Sequence, residues 1–474
     1  MRKRKLCSVL GSPVLFCLAV AFASPAQTFT TLAGFSQASG FEPFAAMIQG
    51  FDGNLFGTTL QGGAAEGGTF FQVTTAGQLT TLYSFCSQRN CADGLYPHSV
   101  VVQDQSGNFW GTTKSEPPYG YGNVFKITAG GALTTMHSFN GTDGEQPQAG
   151  LTLGSDGNFY GTTSSGGANN GGTIFKITPA GTLTTLHNFN FSDGNYPASA
   201  LVQATNGNFY GTTSFSGPNG GGTVFEITPA GSLTTIHSFC SESNCADGEF
   251  PDGTLIQASD GSLYGTTTIG GAVSGCNNAN CGTVFKLTHA GVLTTLYNFC
   301  SESNCLDGGQ PAVGLVQGTD GNFYGATTYG GANNEGTVFE ISPAGKFTLL
   351  HTFDGADGAS PNGALMQDTS GTFYGITSVA GPDGGGTVFS LSMGLGPFVK
   401  TSPSSGKVGT AVIILGNNFT GAKSVAFSGT AATFSVVSKS EIQTTVPAGA
   451  TSGRVQVVTA TKTLKSDTIF RVTK

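Results

Sequence analysis

The sequence predicts an all-β chain: a seven-bladed β-propeller with four strands per blade, followed by a small immunoglobulin-like β-sandwich. One phrase, typified by Gly157-Asn158-Phe159-Tyr160-Gly161-Thr162-Thr163, returns seven times, with its aromatic at Phe56, Trp110, Tyr160, Tyr210, Tyr264, Tyr324 and Tyr374. The steps between these aromatics are 54, 50, 50, 54, 60 and 50 residues. Such a period, rich in glycine and strand formers, belongs to propeller blades, and no strong helical period interrupts it.

The chain opens on Arg2-Lys3-Arg4-Lys5, an apolar run from Val14 to Phe22 and the small residues Ala23-Ser24-Pro25-Ala26. This reads as a signal peptide over residues 1–26. The apolar run is shorter than the roughly 20 residues that span a bilayer. Cys17 follows Val14-Leu15-Phe16 and lacks the small residue that precedes a lipoprotein cysteine. The expectation is a secreted or cell-surface protein with no membrane span in the mature chain.

Residues 27–395 are read as the propeller. In one unit Ala200-Leu201-Val202-Gln203 is the first strand, and Thr205-Asn206-Gly207-Asn208 is a hairpin turn. Phe209-Tyr210-Gly211-Thr212-Thr213 is the second strand, with its two aromatics on opposite faces. Thr223 to Thr228 is the third, and Pro229-Ala230-Gly231-Ser232 turns into the fourth, Leu233 to Phe239. Closure is written in the ends. Phe29-Thr30-Thr31-Leu32-Ala33-Gly34-Phe35 is a fourth-strand phrase without its first three strands, and the last blade stops at Leu391 without a fourth. Pairing these orphans completes the last blade and removes two exposed sheet edges.

Residues 396–474 break the period. Short alternating strands such as Val412-Ile413-Ile414-Leu415 and Val455-Gln456-Val457-Val458 describe the sandwich, after a linker marked by Pro397 and Ser402-Pro403-Ser404-Ser405-Gly406.

Charge is unevenly divided. Residues 27–395 hold 25 Asp and Glu against six Lys and Arg, a balance of −19, whereas residues 396–474 hold two against nine, or +7. The acidic part is not built to attract nucleic acid. Charged residues make up only 10% of the chain, so uncharged polar side chains carry its surface, a composition that suits neutral polymers.

Beyond residue 26 there are eight cysteines in four equally spaced pairs. An even count in an exported chain predicts the disulfides Cys86–Cys91, Cys240–Cys245, Cys276–Cys281 and Cys300–Cys305. Each closes a small loop, so its effect is local stiffening. Four residues between partners is a poor zinc spacing.

The repeats resemble the tandem Gloeobacter/Verrucomicrobia (GloVer-type) repeats of exported bacterial proteins. The phrases that carry the resemblance are Gly157 to Thr163, Gly172-Thr173-Ile174-Phe175-Lys176-Ile177 and Leu183-Thr184-Thr185-Leu186-His187-Asn188-Phe189, and it covers about residues 28–392. The tail is similar to an IPT/TIG immunoglobulin-like domain through Gly409-Thr410, Ile414 to Phe419, Val425-Ala426-Phe427 and Val446-Pro447. The resemblance implies spacer, adhesion or ligand-presenting roles. It transfers no catalytic residue.

His137, His187, His237 and His351 share one repeat position with Tyr83 and Tyr297, so a packing role is expected of them. His98 and His289 stand alone, and no Ser/His/Asp trio can be assembled from spacing. Asp93, Asp143, Asp193, Asp247, Asp307 and Asp357 each precede glycine in the loop between blades, the ordinary chemistry of a tight turn. The alternative there is calcium, which needs several converging oxygens. Asp354-Gly355-Ala356-Asp357-Gly358 is the nearest such cluster, and it is short of ligands. No cofactor is expected, with calcium at Asp354 and Asp357 as the alternative.

Loop insertions are where the blades depart from one another, and binding residues commonly sit on loops. Tyr119 and Tyr121, in Glu116-Pro117-Pro118-Tyr119-Gly120-Tyr121, are the candidates to stack on a sugar ring. Trp110 occupies the repeated aromatic position and is expected in the core. The reading favours an exported, non-enzymatic binding or surface-interaction protein that recognises carbohydrate or another cell-surface component. A polysaccharide hydrolase or lyase acting at the propeller mouth is the alternative, although no convincing pair of acids stands out. Cell-envelope scaffolding is the third reading.

Overall fold

Each repeated phrase becomes a strand of a four-stranded antiparallel sheet, and seven such sheets follow one another in the chain. The structure, a computed structural model, describes residues 27–114, 120–276 and 279–473, with the backbone alone at 274–276 and 279–280. The signal-peptide reading and Tyr119 lie outside the described residues. Three short 3-10 turns, Arg89–Cys91, Ser243–Cys245 and Ser303–Cys305, are the helical elements among them. None of their helices is long and apolar enough to cross a membrane.

In one blade the strands are Val202–Gln203, Phe209–Thr213, Thr223–Ile227 and Leu233–Ser238, paired in that order. The first strand is shorter than the expected four residues. Seven of these segments converge on the axis, where there is no room for more ladder. A Cβ on Gly150 would stand 2.3 Å from Val100 of the blade before it.

The two aromatics of the second strand do face opposite ways, and this joins the blades. Trp110 stacks on Phe159 at 4.2 Å, Tyr160 on Phe209 at 4.0 Å and Tyr264 on Phe323 at 4.1 Å, and Tyr324 lies tilted against Phe373 at 4.1 Å, each across one blade interface. The buried rings keep their polar ends paired. Trp110 Nε1 donates to Asp104 at 2.9 Å, and the Tyr160, Tyr264 and Tyr324 hydroxyls donate to Asp156, Asp260 and Asp320 at 2.9 Å. The hairpin aspartates therefore serve the interface as well as the turn.

Closure follows the predicted route. Thr28–Gly34 lies antiparallel on Thr387–Ser392, giving the last blade its fourth strand. It carries a register shift between Thr31 and Ala33, matching the bulge that the other fourth strands show between, for example, Thr185 and His187. The bulged carbonyl abuts the turn glycine of the next blade. A Cβ on Gly231 would sit 2.7 Å from Leu186 O, and one on Gly77 would sit 2.6 Å from Leu32 O. With φ of +93° and +91°, these turns have two reasons to hold glycine.

A ring of glutamines also clasps neighbouring blades. Gln103, Gln203, Gln257, Gln317 and Gln367 each accept a backbone N–H from the preceding blade's hairpin turn, and Gln49 accepts from Thr369 at 2.9 Å across the closure. Leu153 takes this position in the third blade.

The C-terminal sandwich packs the sheet of Lys400–Ser402, Ala411–Leu415, Glu441–Thr445 and Phe434–Val436 against that of Thr430–Ala432, Ser424–Phe427, Val455–Val458 and Thr463–Lys465. Val412, Ile414, Phe419, Phe427, Ile442 and Val457 fill its core. It rests on the propeller face that carries the hairpin turns. Phe398 N–H donates to Thr369 O at 3.1 Å, Asn417 Nδ2 to Thr369 Oγ1 at 2.9 Å and Ser440 Oγ to Phe51 O at 2.8 Å. Residues Thr401 to Ser405 lie beneath the axial ends of the second to fourth blades, next to Val100, Leu151 and Ala200.

Candidate functional site

The repeat loses its regularity at the residue that follows the proline of each interblade loop. There the seven blades carry Phe44, His98, Gln148, Ala198, Asp252, Ala312 and Asn362. All seven line one cavity of about 260 Å³ at the axis, on the face opposite the sandwich.

The backbone aims these side chains. The residue before each proline, namely Glu42, Tyr96, Gln146, Tyr196, Phe250, Gln310 and Ser360, has a φ of +51° to +59°. Left-handed non-glycine residues are uncommon, and strain of this kind persists only where the surroundings hold it. Here Tyr196 N–H donates to Gly171 O of the previous blade at 3.1 Å, while its carbonyl accepts from Ser214 N at 3.1 Å within its own. Phe250 repeats the pattern with Gly221 O and Thr268 N, and Gln310 with Cys281 O and Thr328 N. Each strained residue is thus stapled to two blades, and the proline after it turns the next side chain toward the axis.

Hydroxyls around the rim hold the polar members of the ring. Gln148 Nε2 donates to Ser164 Oγ at 2.9 Å and to Tyr196 Oη at 2.8 Å. Asp252 accepts from Ser214 Oγ and, at 2.9 Å, from Thr268 Oγ1, whereas Asn362 Nδ2 donates to Ser378 Oγ at 2.8 Å. Burial pushes the Asp252 carboxyl above its ordinary value, and the two hydroxyls offset part of that. His98 lies against the Phe44 ring at 4.9 Å. Burial, with Lys114 nearby, pushes its pKa down to about 4, so the imidazole is neutral at pH 7.

This shift has a sign in stability. Between about 4 and the unfolded value of 6.5 the unfolded chain binds the His98 proton and the folded chain does not, so this contribution, complete above 6.5, is lost as pH falls through that window. Asp252, raised above 3.8, acts oppositely at the acid end. His98→Asn is therefore expected to flatten the fall in melting temperature between pH 6.5 and 4 relative to the parent chain. Parallel pH profiles for the two proteins would refute a buried neutral His98.

The residues singled out in the sequence lie elsewhere. Tyr121 is half-buried against the cluster of Trp110, Val124 and Phe139, away from the mouth. Asp357 Oδ2 pairs with His351 Nε2 at 2.7 Å, and its Oδ1 accepts from Asp354 N–H. Asp354 accepts from Ala356 and Asp357 N–H, the turn that Asn140 forms in the second blade. His137, His187 and His237 make the same bond to Asp143, Asp193 and Asp247, and Tyr83 and Tyr297 bond to Asp93 and Asp307 at 2.7 and 2.8 Å. The shared His/Tyr position thus anchors the interblade aspartate.

Cys86 is bonded to Cys91 and Cys240 to Cys245. At the third site the arrangement departs from strictly local pairing. Cys300 Sγ lies within bonding reach of both Cys281 and Cys305, and the last two sulfurs are 3.8 Å apart. The reason is register: Thr283 pairs with Asn298, which brings the start of the third strand beside the end of the fourth. The expected Cys276–Cys281 bridge involves a side chain outside those described. Among the described residues, the groups that gather three potential metal-ligating atoms are Cys281, Cys300 and Cys305, and Cys240, Cys245 and Glu249.

Comparisons with known proteins agree with this architecture. The description of the Gloeobacter/Verrucomicrobia repeat matches residues 18–207 and 181–389, and that of the IPT/TIG domain matches residues 398–471. No curated protein matches the sequence. Among solved structures, a fungal alcohol oxidase of the AA5 family in complex with copper is similar over 94% of this chain and 99% of its own, at 14% identity and a TM-score of 0.52. A gluconolactonase from Xanthomonas campestris is similar over 75% of this chain and 88% of its own, at 11% identity and a TM-score of 0.39. At such identity the likeness to the oxidase is one of fold, and the mouth here supplies a single imidazole, His98, which does not make a copper centre. With the repeat description spanning most of its length, the chain belongs to the Gloeobacter/Verrucomicrobia repeat family.

Proposed function

We propose that this is an exported, non-enzymatic binding protein that holds a neutral carbohydrate in the mouth of its propeller. The observation that carries the reading is the ring after the interblade prolines. Repeat regularity gives way there to an anchored glutamine, asparagine and aspartate beside a phenylalanine and a neutral histidine, all facing one cavity. Few oriented polar groups in a mostly apolar hollow is the make-up of a small-molecule site. The disulfides at Cys86–Cys91 and Cys240–Cys245 are compatible with life outside the cytoplasm.

Titrating the full chain against immobilised bacterial and plant polysaccharides, with calcium and with chelator, tests the reading. Saturable binding that survives chelation is expected, weakened about three- to tenfold by Gln148→Ala through loss of one hydrogen bond. Absence of binding to every polysaccharide would overturn it, and loss in chelator would return the Asp354 and Asp357 turn to consideration. One observation favours an enzyme instead: a carboxyl with a raised pKa and an imidazole with a lowered one share the mouth, and such perturbed pairs cluster at active sites. Release of reducing ends in the same titration, abolished by Asp252→Asn, would establish the hydrolase or lyase.

A further inference from the structure

We propose that the mouth takes the end of an uncharged glycan chain, with the units behind the terminal one laid on an aromatic shelf formed by Tyr196, Phe215 and Phe250. This deepens the carbohydrate reading above and rests on it. Three observations specify an end rather than a passing chain. The cavity, about 260 Å³, falls just below the size range of drug-sized ligand pockets and suits a single small unit. On the other face Thr401 to Ser405 of the sandwich border the first strands of the second to fourth blades across a second cavity, so a chain leaving there would have to pass the sandwich. A run of three rings in mutual contact lies over the fourth and fifth blades, while Tyr96 and Tyr329 hold the same repeat positions in the second and sixth.

The shelf is a set of departures from the repeat. Tyr196 and Phe250 are two of the left-handed residues before the blade prolines, a position held elsewhere by Glu42, Gln146, Gln310 and Ser360 as well as Tyr96. Phe215 opens the loop after the second strand of the fourth blade, where other blades have Gln61, Ser165, Ile269, Tyr329 and Val379. The three rings meet edge to face, Tyr196 with Phe215 at 5.6 Å and Phe215 with Phe250 at 4.8 Å. Phe215 is nevertheless 40% exposed, so the run presents its surface outward. The shelf is joined to the ring through the Tyr196 hydroxyl, which accepts from Gln148 Nε2 at 2.8 Å. Rigid aromatic faces suit the C–H faces of sugar rings, and the amides and carboxyl of the mouth suit hydroxyls, which both donate and accept. Charge disfavours uronate or sulfated polymers: residues 27–395 balance at −19, and Asp252 lines the mouth, with Lys114 as the cation near His98.

Calorimetric titration of the full chain with maltoheptaose, cellopentaose, xylohexaose and mannohexaose, their mono-, di- and trisaccharides and the parent polymers reads the geometry directly. One protein per chain is expected at every length, with affinity rising to about three units and then level. Phe215→Ala/Phe250→Ala is expected to weaken trisaccharide binding about tenfold, the effect of losing two stacking faces, and to weaken monosaccharide binding far less, with binding compared at a temperature well below the melting point of either protein. Ala198→Trp, which fills the mouth, is expected to abolish binding at all lengths. Stoichiometry that climbs with chain length, or an indifferent double variant, would overturn end recognition while leaving a carbohydrate-binding propeller. No binding to any saccharide, or binding of a tryptic peptide mixture in their place, would overturn both.

Discussion

A chain lacking residues 27–36 is expected to lose the ring. Those residues supply Thr28–Gly34, which pairs along its whole length with Thr387–Ser392. They also supply Phe29, stacked on His351 at 3.6 Å and on Phe389 at 5.2 Å, and Phe35, fully buried between the last blade and the first. Phe35 N–H donates to Gly386 O, and its carbonyl accepts from Gly385 N–H. Deletion therefore removes one blade's outer strand, one interface's packing and several backbone bonds together, and it leaves Thr387–Ser392 as an unpaired edge open to other chains. Phe35→Ala alone is expected to cost about 3–5 kcal/mol, as buried phenylalanine truncations do. The deletion should exceed this and add self-association visible by light scattering. Melting curves for the three proteins decide the matter, and a deletion variant that melts with the parent and stays monomeric would mean that the ring does not depend on this closure.

The sequence carried this closure because its evidence was repeated seven times. A fourth-strand phrase without a blade and a blade without a fourth strand can be recognised only when six complete copies say what a blade is. The same redundancy hid the mouth. Its residues occur once each, about fifty positions apart, and none belongs to a motif, so His98 reads as a stray histidine and Asp252 as one more loop aspartate. Laying the repeats on their shared proline would have exposed the position after it, which runs from phenylalanine to aspartate. Insertions drew attention instead, and Tyr121 shows why that misleads: an aromatic in an inserted loop can be spent covering its own blade. Cysteine pairing was legible where the partners share a loop, as at Cys86 and Cys91. At Cys300 the loop partner Cys305 was legible, but the approach of Cys281, which strand register brings from the other strand of the hairpin, was not.

Nothing in the sequence announced that the sandwich would be seated on the propeller, and here a single lysine is decisive. Lys400 Nζ reaches across the junction to donate to Gln367 O of the last blade at 2.6 Å, with Asp467 of the sandwich and Asp368 of the propeller as its charge partners. Burial pushes the lysine pKa down and that of Asp467 up, the two carboxylates drawing the lysine back upward and the lysine drawing Asp467 back downward. Removing the ammonium leaves the Gln367 carbonyl without its donor and the neighbouring carboxylates without a counter-charge, a change expected to cost about 1–3 kcal/mol. Lys400→Met, which keeps an unbranched apolar stem but removes the ammonium that lies 5.6 Å over the Phe398 ring, is thus expected to split calorimetric unfolding into separate sandwich and propeller transitions and to expose the linker near Pro397 to proteases. Asp467→Asn in the same chain should recover part of the loss, because it removes the charge left without a partner. A single unshifted transition in Lys400→Met would show that the backbone and side-chain bonds at Thr369 and Phe51 suffice to hold the domains together. Separation of the transitions would instead make this lysine the latch that holds the sandwich against the last blade of the propeller.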